Sequence, residues 1–218
     1  MRLAILACLV AAPAWAMPMP TPADACQAAI AQAERGLRTA EGLLAAIGAV
    51  ESGRTDPRTG RRRPWPWTVT AEGVGTYYPT KPDAIAAVQA LQARGVASID
   101  VGCMQVNLMH HPAAFRTLEQ AFDPAPNAAY AARFLMSLYA RLGDWPKAAS
   151  AYHSLSPAPG AQYAKLIAAV WSGAPVPVSP AAGGAQVVTF PDGGQMRVFR
   201  DADAAAGRGR VLGYLSGP

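Results

Sequence analysis

The sequence predicts a mainly α-helical domain that carries a small β-hairpin insertion. Hydrophobic residues make up 51% of the chain and charged residues only 15%, so the composition allows a packed core. Much of the apolar content is alanine, which favours closely packed helices over a sheet rich in valine and isoleucine. Apolar residues also recur at helical spacing between capping signals in several segments.

The expected helices begin and end at recognisable caps. Thr21 can cap the first helix with Pro22 at its first position, and Asn127 is expected to cap a later one. The helices are predicted over residues 22–38, 40–52, 83–94, 127–142, a segment from Asp144 through His153, and residues 160–171, and glycines follow most of them as stops.

The β-hairpin is expected between the second and third helices. Residues 67–70 and 76–78 are short runs of aromatic and β-branched side chains, and residues 72–75 between them include two glycines. The basic run at residues 61–63, which precedes the hairpin, is either a solvated loop or a binding patch.

Residues 1–16 have the pattern of a secretory signal peptide. Arg2 supplies a positive charge, residues 3–12 are apolar, and Ala14-Trp15-Ala16 resembles a cleavage site. The apolar run is shorter than the ~20 residues that span a bilayer, so no stable membrane insertion is expected. The sequence therefore predicts export to the periplasm.

After removal of the signal peptide, the chain is expected to consist of two parts. The domain is assigned to residues 17–173. Residues 174–218 are rich in proline, alanine and glycine at their start and are expected to be a linker and tail, largely disordered, in which residues 187–199 could form one hairpin.

Export also changes the interpretation of the cysteines. Cys8 leaves with the signal peptide, and the mature chain keeps Cys26 and Cys103. Two cysteines in an oxidising compartment are expected to form one disulfide, the alternative being two separate buried thiols. In the chain-entropy model, closure of so long a loop stabilises the fold by roughly 4 kcal/mol.

The charge balance favours an anionic partner. The formal net charge is +5, and the estimated isoelectric point is about 9.4. A cationic exported protein suits acidic surfaces and peptide carboxylates, whereas the signal peptide argues against nucleic acid as a partner.

Glu51 is the first candidate for chemistry. Leu44, Ile47 and Glu51 fall on one face of the second helix, and that face is apolar and should point inward. Burial disfavours the charged form of a carboxyl group, so such a group can hold a proton and deliver it as a general acid. The alternative is that Glu51 ends its helix at the surface, where most glutamates lie.

Three short motifs follow in a fixed order: Glu51-Ser52-Gly53, residues 102–107 (Gly-Cys-Met-Gln-Val-Asn), and Ala151-Tyr152-His153. On a helical exported chain they closely resemble the lytic transglycosylases of the soluble-transglycosylase (SLT) type, whose domain is related to goose-type lysozyme. The resemblance covers residues 40–173, and residues 65–100 resemble the insertion of one subgroup. It implies a lysozyme-like helical domain.

The resemblance also implies roles for single residues. Glu51 resembles the single catalytic acid and base, and Ser52 resembles the neighbour that orients the acetamido group of the substrate. Met104 and Gln105 resemble residues that line the cleft, with Gln105 in contact with the sugar. Asn107 is expected to bind substrate beside them.

The third motif carries two further expectations. Tyr152 resembles the tyrosine whose hydroxyl approaches the catalytic carboxyl group, and His153 is expected to contact substrate. The family usually has asparagine at the position of His153, so a histidine there adds a charge that changes near neutral pH. The family usually has leucine at the position of Cys103, a difference that we attribute to the disulfide with Cys26.

The activity implied by the resemblance is cleavage of the β-1,4 bond between N-acetylmuramic acid and N-acetylglucosamine in peptidoglycan. The 6-hydroxyl of the muramic residue attacks within the substrate and leaves a 1,6-anhydro end. One carboxyl group suffices, because it can first donate a proton and then accept one. Neither a cofactor nor a metal is expected. Such enzymes often serve envelope-spanning machines, so a secretion-system or flagellar component is a candidate partner.

Two other functions remain open at this point. A hydrolytic muramidase that inverts would need a base about 6.5–9.5 Å from the acid, and Asp56 and Asp100 are the candidates. A non-catalytic wall-binding or assembly protein could retain the fold.

Two further groups of residues are aromatic side chains or possible metal ligands. Trp65 and Trp67 are either hairpin core or platforms on which sugars stack. His110 and His111 would diverge on a helix, so no metal site with His153 is expected.

Overall fold

The computed structural model describes residues 20–56, 59–153, 157–173, 186–189, 195–198 and 211–216. The helices are α1 (Pro22–Leu37), α2 (Leu43–Glu51), α3 (Lys81–Ala93), α4 (Leu118–Ala121), α5 (Pro124–Leu142), α6 (Trp145–His153) and α7 (Pro157–Trp171). The strands of the domain are β1 (Gly53–Thr55), β2 (Arg62–Pro64), β3 (Thr68–Ala71), β4 (Val74–Tyr77), β5 (Ile99–Val101) and β6 (Val106–Asn107). The predicted signal peptide lies outside the described residues.

The fold is mainly α with a small sheet, as the sequence predicts. The main core lies between α1, α2, α5, α6 and α7 and contains fully buried aliphatic side chains such as Leu44, Ile47 and Leu135. A smaller core lies between the sheet and the α3–α4 region, where Val69, Val88 and Ile99 meet. Glu51 ends the helix that runs through the main core.

The start of α1 follows the sequence prediction closely. The Thr21 side chain accepts a hydrogen bond from the backbone N–H of Asp24, and the Asp24 carboxylate accepts one from the N–H of Thr21. Pro22 occupies the first helical position. This capping box satisfies donors that the helix itself cannot pair.

The start of α2 is capped from a distance. Gly42 precedes the helix with φ of +74° and offers no side-chain cap. Glu34 of α1 supplies the side-chain cap: its Oε1 accepts hydrogen bonds from the backbone N–H groups of Leu44 at 2.7 Å and Ala45 at 3.3 Å. A carboxylate at a helix N-terminus also interacts favourably with the helix dipole. This contact anchors the helix that carries Glu51.

The hairpin insertion is antiparallel and slightly shifted from its predicted bounds. Strand β3 pairs with β4, with Thr68 opposite Tyr77 and Ala71 opposite Val74. Glu72 and Gly73 both have positive φ and form the two-residue turn. On its other side β3 pairs with β5, which pairs in turn with β6. The sheet therefore reaches from the hairpin to the Gly102–Asn107 motif.

Two helix boundaries differ from the sequence prediction. Asn127 does not cap α5: that helix begins at Pro124, with the Asp123 side chain accepting from the N–H of Ala125. Gly53 does not cap α2, since Ser52 is the cap and Gly53 opens β1. In both places a capping-type residue stands near a helix end, but tertiary contacts decide its use.

The tail contributes three further strands, β7 (Gln186–Thr189), β8 (Gln195–Val198) and β9 (Val211–Ser216). Strands β7 and β8 pair as an antiparallel hairpin within the segment where the sequence predicts one. Strand β9 pairs with β8 and runs parallel to β4. The division of the chain at residue 173 stays a prediction.

Among the described residues, none of the helices is long and apolar enough to cross a bilayer.

We predict that Glu34→Ala lowers the free energy of unfolding by about 1–2 kcal/mol, because two N–H groups at the start of α2 lose their acceptor. Glu34→Gln keeps an acceptor oxygen and is expected to cost less. Urea denaturation of both variants at neutral pH measures the difference, and equal losses would contradict the capping role.

We also predict that the stability difference between the parent and Glu34→Gln depends on pH. Burial raises the pKa of Glu34 above its ordinary value. The folded state therefore binds this proton more tightly than the unfolded state, and the parent loses that stability as the pH rises through the raised pKa. Glu34→Gln cannot ionise, so its stability relative to the parent should increase across this window in urea titrations at a series of pH values.

Candidate active site

A cleft of about 280 Å³ opens beside the end of α2. It brings together five of the residues that the motifs predict as site residues and adds groups from β5, α5 and the loop after β6. Its walls are formed by Glu51, Asp100, Gln105, Val106, Asn107, His110, His111, Tyr130, Ala131, Phe134, Tyr152 and His153. All three histidines of the chain lie in these walls.

Glu51 lies at the inner end of the cleft. Its side chain is 3% exposed, on the same buried face of α2 as Leu44 and Ile47, as the periodicity predicts. The hydroxyl of Tyr163 donates a hydrogen bond to Glu51 Oε1 at 2.7 Å. A buried carboxyl group requires such partners, and this one fixes the orientation of the group.

Tyr163 is the site residue that the sequence analysis missed. It belongs to α7, lies 112 positions after Glu51, and is 6% exposed. The resemblance assigned the tyrosine beside the carboxyl group to Tyr152. The Tyr152 hydroxyl donates to the backbone carbonyl of Met104 at 2.9 Å, its ring packs against Phe134, and it lines the same cleft as Glu51, so its predicted role stays a prediction. The helical spacing of Tyr163 among apolar residues gave it only the signal of a core aromatic.

The turn at residues 102–105, which places Gln105 in the wall of the cleft, is built around a glycine. Gly102 has φ of +83°, and a Cβ added there would lie 2.4 Å from the side-chain nitrogen of Asn127. Asn127 is fully buried, accepts from the N–H of Met104 at 2.9 Å, and donates to the carbonyls of Val101 and Ala121. The residue predicted as a helix cap therefore shapes the turn.

The predicted disulfide is present and holds the same turn. Cys103 is bonded to Cys26 of α1 across 77 residues of sequence, and both are fully buried. The Ser52 hydroxyl donates to the carbonyl of Cys103 at 2.6 Å. Ser52 is 0% exposed and is not among the residues that line the cleft; its hydroxyl joins the end of α2 to the turn, and its expected role in orienting the substrate stays a prediction.

Met104 and Gln105 differ in their placement. Met104 is 0% exposed and packs in the main core, and its expected contact with substrate stays a prediction. Gln105 lines the cleft with φ of +48°. Its amide donates to the carbonyls of Thr68 and Gly102 and accepts from the Thr70 hydroxyl. The side chain thus connects the turn to strand β3.

Asn107 and Asp100 form a polar wall at the edge of the sheet. They face each other in the β5–β6 register, and the Asn107 amide donates to Asp100 Oδ1 at 3.0 Å. Asn107 Oδ1 accepts from the backbone N–H groups of Met109 and His110. This wall presents one carboxylate and one amide to the cleft that also contains Glu51.

Another part of the cleft wall is aromatic. His111 lies against Phe134 and Tyr130, with its Nδ1 2.9 Å from the Tyr130 hydroxyl. Burial, with His110 as a lesser cause, lowers the pKa of His111 and favours its neutral form. Within the part of the chain that the structure describes, no cluster of His, Cys, Asp and Glu could hold a metal ion.

Several other candidates lie away from the cleft. Asp56 lines two separate pockets beside the β1–β2 hairpin and pairs with Arg63. Trp65 and Trp67 pack edge to face in the hairpin region, and the Trp65 N–H donates to the carbonyl of Tyr78. Neither tryptophan lines the cleft: Trp67 packs against the smaller core, whereas Trp65 lines a separate pocket and lies under the Arg54 guanidinium.

The basic run has a structural use. Arg62 donates to the carbonyl of Gly53, and Arg63 donates to Asp24 at the start of α1. Arg61 is exposed. Two of the three arginines thus join the loop after α2 to the rest of the domain.

Comparison with known proteins identifies the family. The sequence profile of the Transglycosylase SLT domain matches residues 28–156, which is more than half of the chain. The chain belongs to this family, which supports a lytic transglycosylase that acts on peptidoglycan. No curated protein and no solved structure matches the chain significantly. Tyr163 lies beyond the matched segment.

We predict that the double variant Cys26→Ser/Cys103→Ser loses roughly 4 kcal/mol of unfolding free energy, because the denatured chain is no longer closed into a long loop. Urea denaturation measures the loss. The matched control is Cys26→Ala/Cys103→Leu, which restores apolar volume without the covalent bond and should recover only part of the stability. A double serine variant as stable as the parent would contradict the role of the disulfide.

Proposed function

We propose that the protein is a peptidoglycan lytic transglycosylase in which Glu51 is the single catalytic acid and base. The observation that carries the proposal is the position of Glu51: a buried carboxyl group at the inner end of a cleft, oriented by the Tyr163 hydroxyl. Family membership supplies the substrate class.

The first step is proton transfer to the glycosidic oxygen. Glu51 in its protonated form donates to the oxygen between N-acetylmuramic acid and N-acetylglucosamine, and the glycosidic bond breaks with oxocarbenium character at the muramic carbon. The burial of Glu51 and its hydrogen bond from Tyr163 support this role because they fix the orientation of the carboxyl group. The N-acetyl group of the substrate can trap the developing positive charge.

The second step returns the proton. Glu51, now ionised, accepts the proton of the muramic 6-hydroxyl as this oxygen attacks the anomeric carbon, which gives a 1,6-anhydro end. The Tyr163 hydroxyl supports both steps: it can donate to the carboxylate when Glu51 is charged and keeps the group oriented throughout. The scheme needs only one carboxyl group.

The other cleft residues are proposed to bind the glycan. Gln105, Asn107 and Tyr152 line the cleft, and their side chains are held in place by hydrogen bonds to the backbone or to neighbouring residues. Such fixed polar groups on rigid elements suit the recognition of a sugar. We propose that they position the strand around Glu51.

The proposed site of action is the periplasm. The disulfide between Cys26 and Cys103 supports an oxidising compartment, and the signal-peptide pattern at residues 1–16 supports export. A secretion-system or flagellar partner stays a prediction from the resemblance.

Hydrolysis is the second candidate, and one observation favours keeping it. Asp100 lines the same cleft as Glu51, whereas Asp56 does not. A carboxylate in that position could act on a water molecule and release a reducing muramic end. The two candidates therefore differ in their products.

We predict that the parent protein releases fragments with anhydromuramic ends from purified peptidoglycan and that Glu51→Gln releases none. The measurement is mass spectrometry of the soluble fragments. Asp100→Asn is the matched control, and it should retain anhydromuramic products. Reducing muramic ends that disappear in Asp100→Asn would establish hydrolysis, and binding without fragments from the parent would favour a wall-binding protein.

We predict that Tyr163→Phe lowers kcat by about 10- to 100-fold with little change in KM, because the ring volume is kept and the hydrogen bond to Glu51 is lost. Initial rates of fragment release at a series of peptidoglycan concentrations separate the two constants. Unchanged rates would remove Tyr163 from the catalytic arrangement.

A further inference from the structure

We propose that His153 is a positioning residue whose imidazole ring is the platform that holds Tyr163 against Glu51. The family resemblance predicts a different role, a polar contact with substrate. The kinetic part of this inference rests on the proposed function, whereas its structural part does not.

The geometry of the two rings carries the proposal. The imidazole of His153 and the phenol ring of Tyr163 have centroids 4.5 Å apart and planes inclined by only 5°. This is a stacked arrangement within the range that aromatic pairs prefer. The hydroxyl of the same Tyr163 donates to Glu51 Oε1 at 2.7 Å. His153, Tyr163 and Glu51 therefore form one continuous series of contacts.

Tyr163 needs such a platform because it belongs to a different helix from Glu51. It projects from α7, while Glu51 ends α2 and His153 ends α6. Its hydroxyl lies at the far end of the phenol ring, so a small rotation about the side-chain torsions moves the hydroxyl away from the carboxyl group. A flat ring parallel to the phenol ring restricts that rotation. The last residue of α6 thus restricts the side chain that α7 presents to Glu51.

The two possible roles of His153, stacking on Tyr163 and a polar contact with substrate, require different side chains at this position. Stacking needs a flat ring and no hydrogen-bonding group, so phenylalanine should replace histidine. A polar contact with substrate needs a donor or acceptor, so asparagine should replace histidine and phenylalanine should not. The family's usual residue, asparagine, is therefore an informative substitution at this site.

The experiment compares His153→Phe, His153→Asn and His153→Ala in the full chain. We expect His153→Phe to keep kcat within about twofold of the parent, and His153→Asn and His153→Ala to lose about tenfold in kcat with KM nearly unchanged, as expected for a misplaced catalytic contact. Thermal unfolding identifies any variant that fails to fold, and the Phe and Asn variants alone suffice for the comparison.

A double-mutant cycle shows whether His153 acts through Tyr163. If it does, adding His153→Ala to Tyr163→Phe should lower kcat by less than about twofold further, since the hydrogen bond is already absent. Additive losses would overturn the proposal. So would activity that asparagine retains and phenylalanine loses, or equal activity in all three single variants.

Crystal structures of the variants supply a readout that is independent of turnover. The distance from Tyr163 Oη to Glu51 Oε1 should stay near that of the parent in His153→Phe and lengthen in His153→Ala. An unchanged distance in His153→Ala would overturn the inference even if activity falls. A parent without glycan cleavage would instead refute the proposed function and leave this distance as the test of the platform.

Discussion

A carboxyl group buried at the end of an apolar helix has to be satisfied by partners, and Glu51 imposes that requirement on the whole domain. Helix α2 carries it inward on the face that also buries Leu44 and Ile47. The partner comes from the distant helix α7, because Tyr163 supplies the hydroxyl that meets the carboxyl group. The packing of α2 against α7 is therefore a requirement of the site as well as of the core.

Several buried bonds converge on the turn at residues 102–105, whose Gln105 lines the cleft. The disulfide joins Cys103 to α1, Ser52 joins the carbonyl of Cys103 to the end of α2, and Asn127 joins the N–H of Met104 to α5. The two hydrogen bonds are buried, and leaving one of these buried polar groups without its partner would cost about 1–3 kcal/mol. The turn and Glu51 thus hold their relative position through the same buried network, which is the preorganisation that acid–base chemistry needs.

Local signals in the sequence predict what depends on local physics. The capping residue Thr21 predicts where α1 begins, and the helical periodicity predicts that Glu51 points inward. The expected export to an oxidising compartment predicts the disulfide. Side-chain destinations depend on tertiary packing and are predicted less well. Asn127 is predicted as a helix cap and Ser52 as a residue that orients the substrate, and in the structure both side chains bond to the turn at residues 102–105. Tyr163 has only the pattern of a core aromatic in α7, and its partner is known only once the helices pack.

In the proposed mechanism one buried carboxyl group donates a proton and takes one back, and water is not the nucleophile. The most direct measurement is digestion of peptidoglycan in water enriched in oxygen-18, followed by immediate reduction and mass spectrometry of the muramic ends. We predict anhydromuramic ends that carry no oxygen-18. Muramic ends that have gained one oxygen-18 atom during cleavage would contradict it, because water would then be the nucleophile.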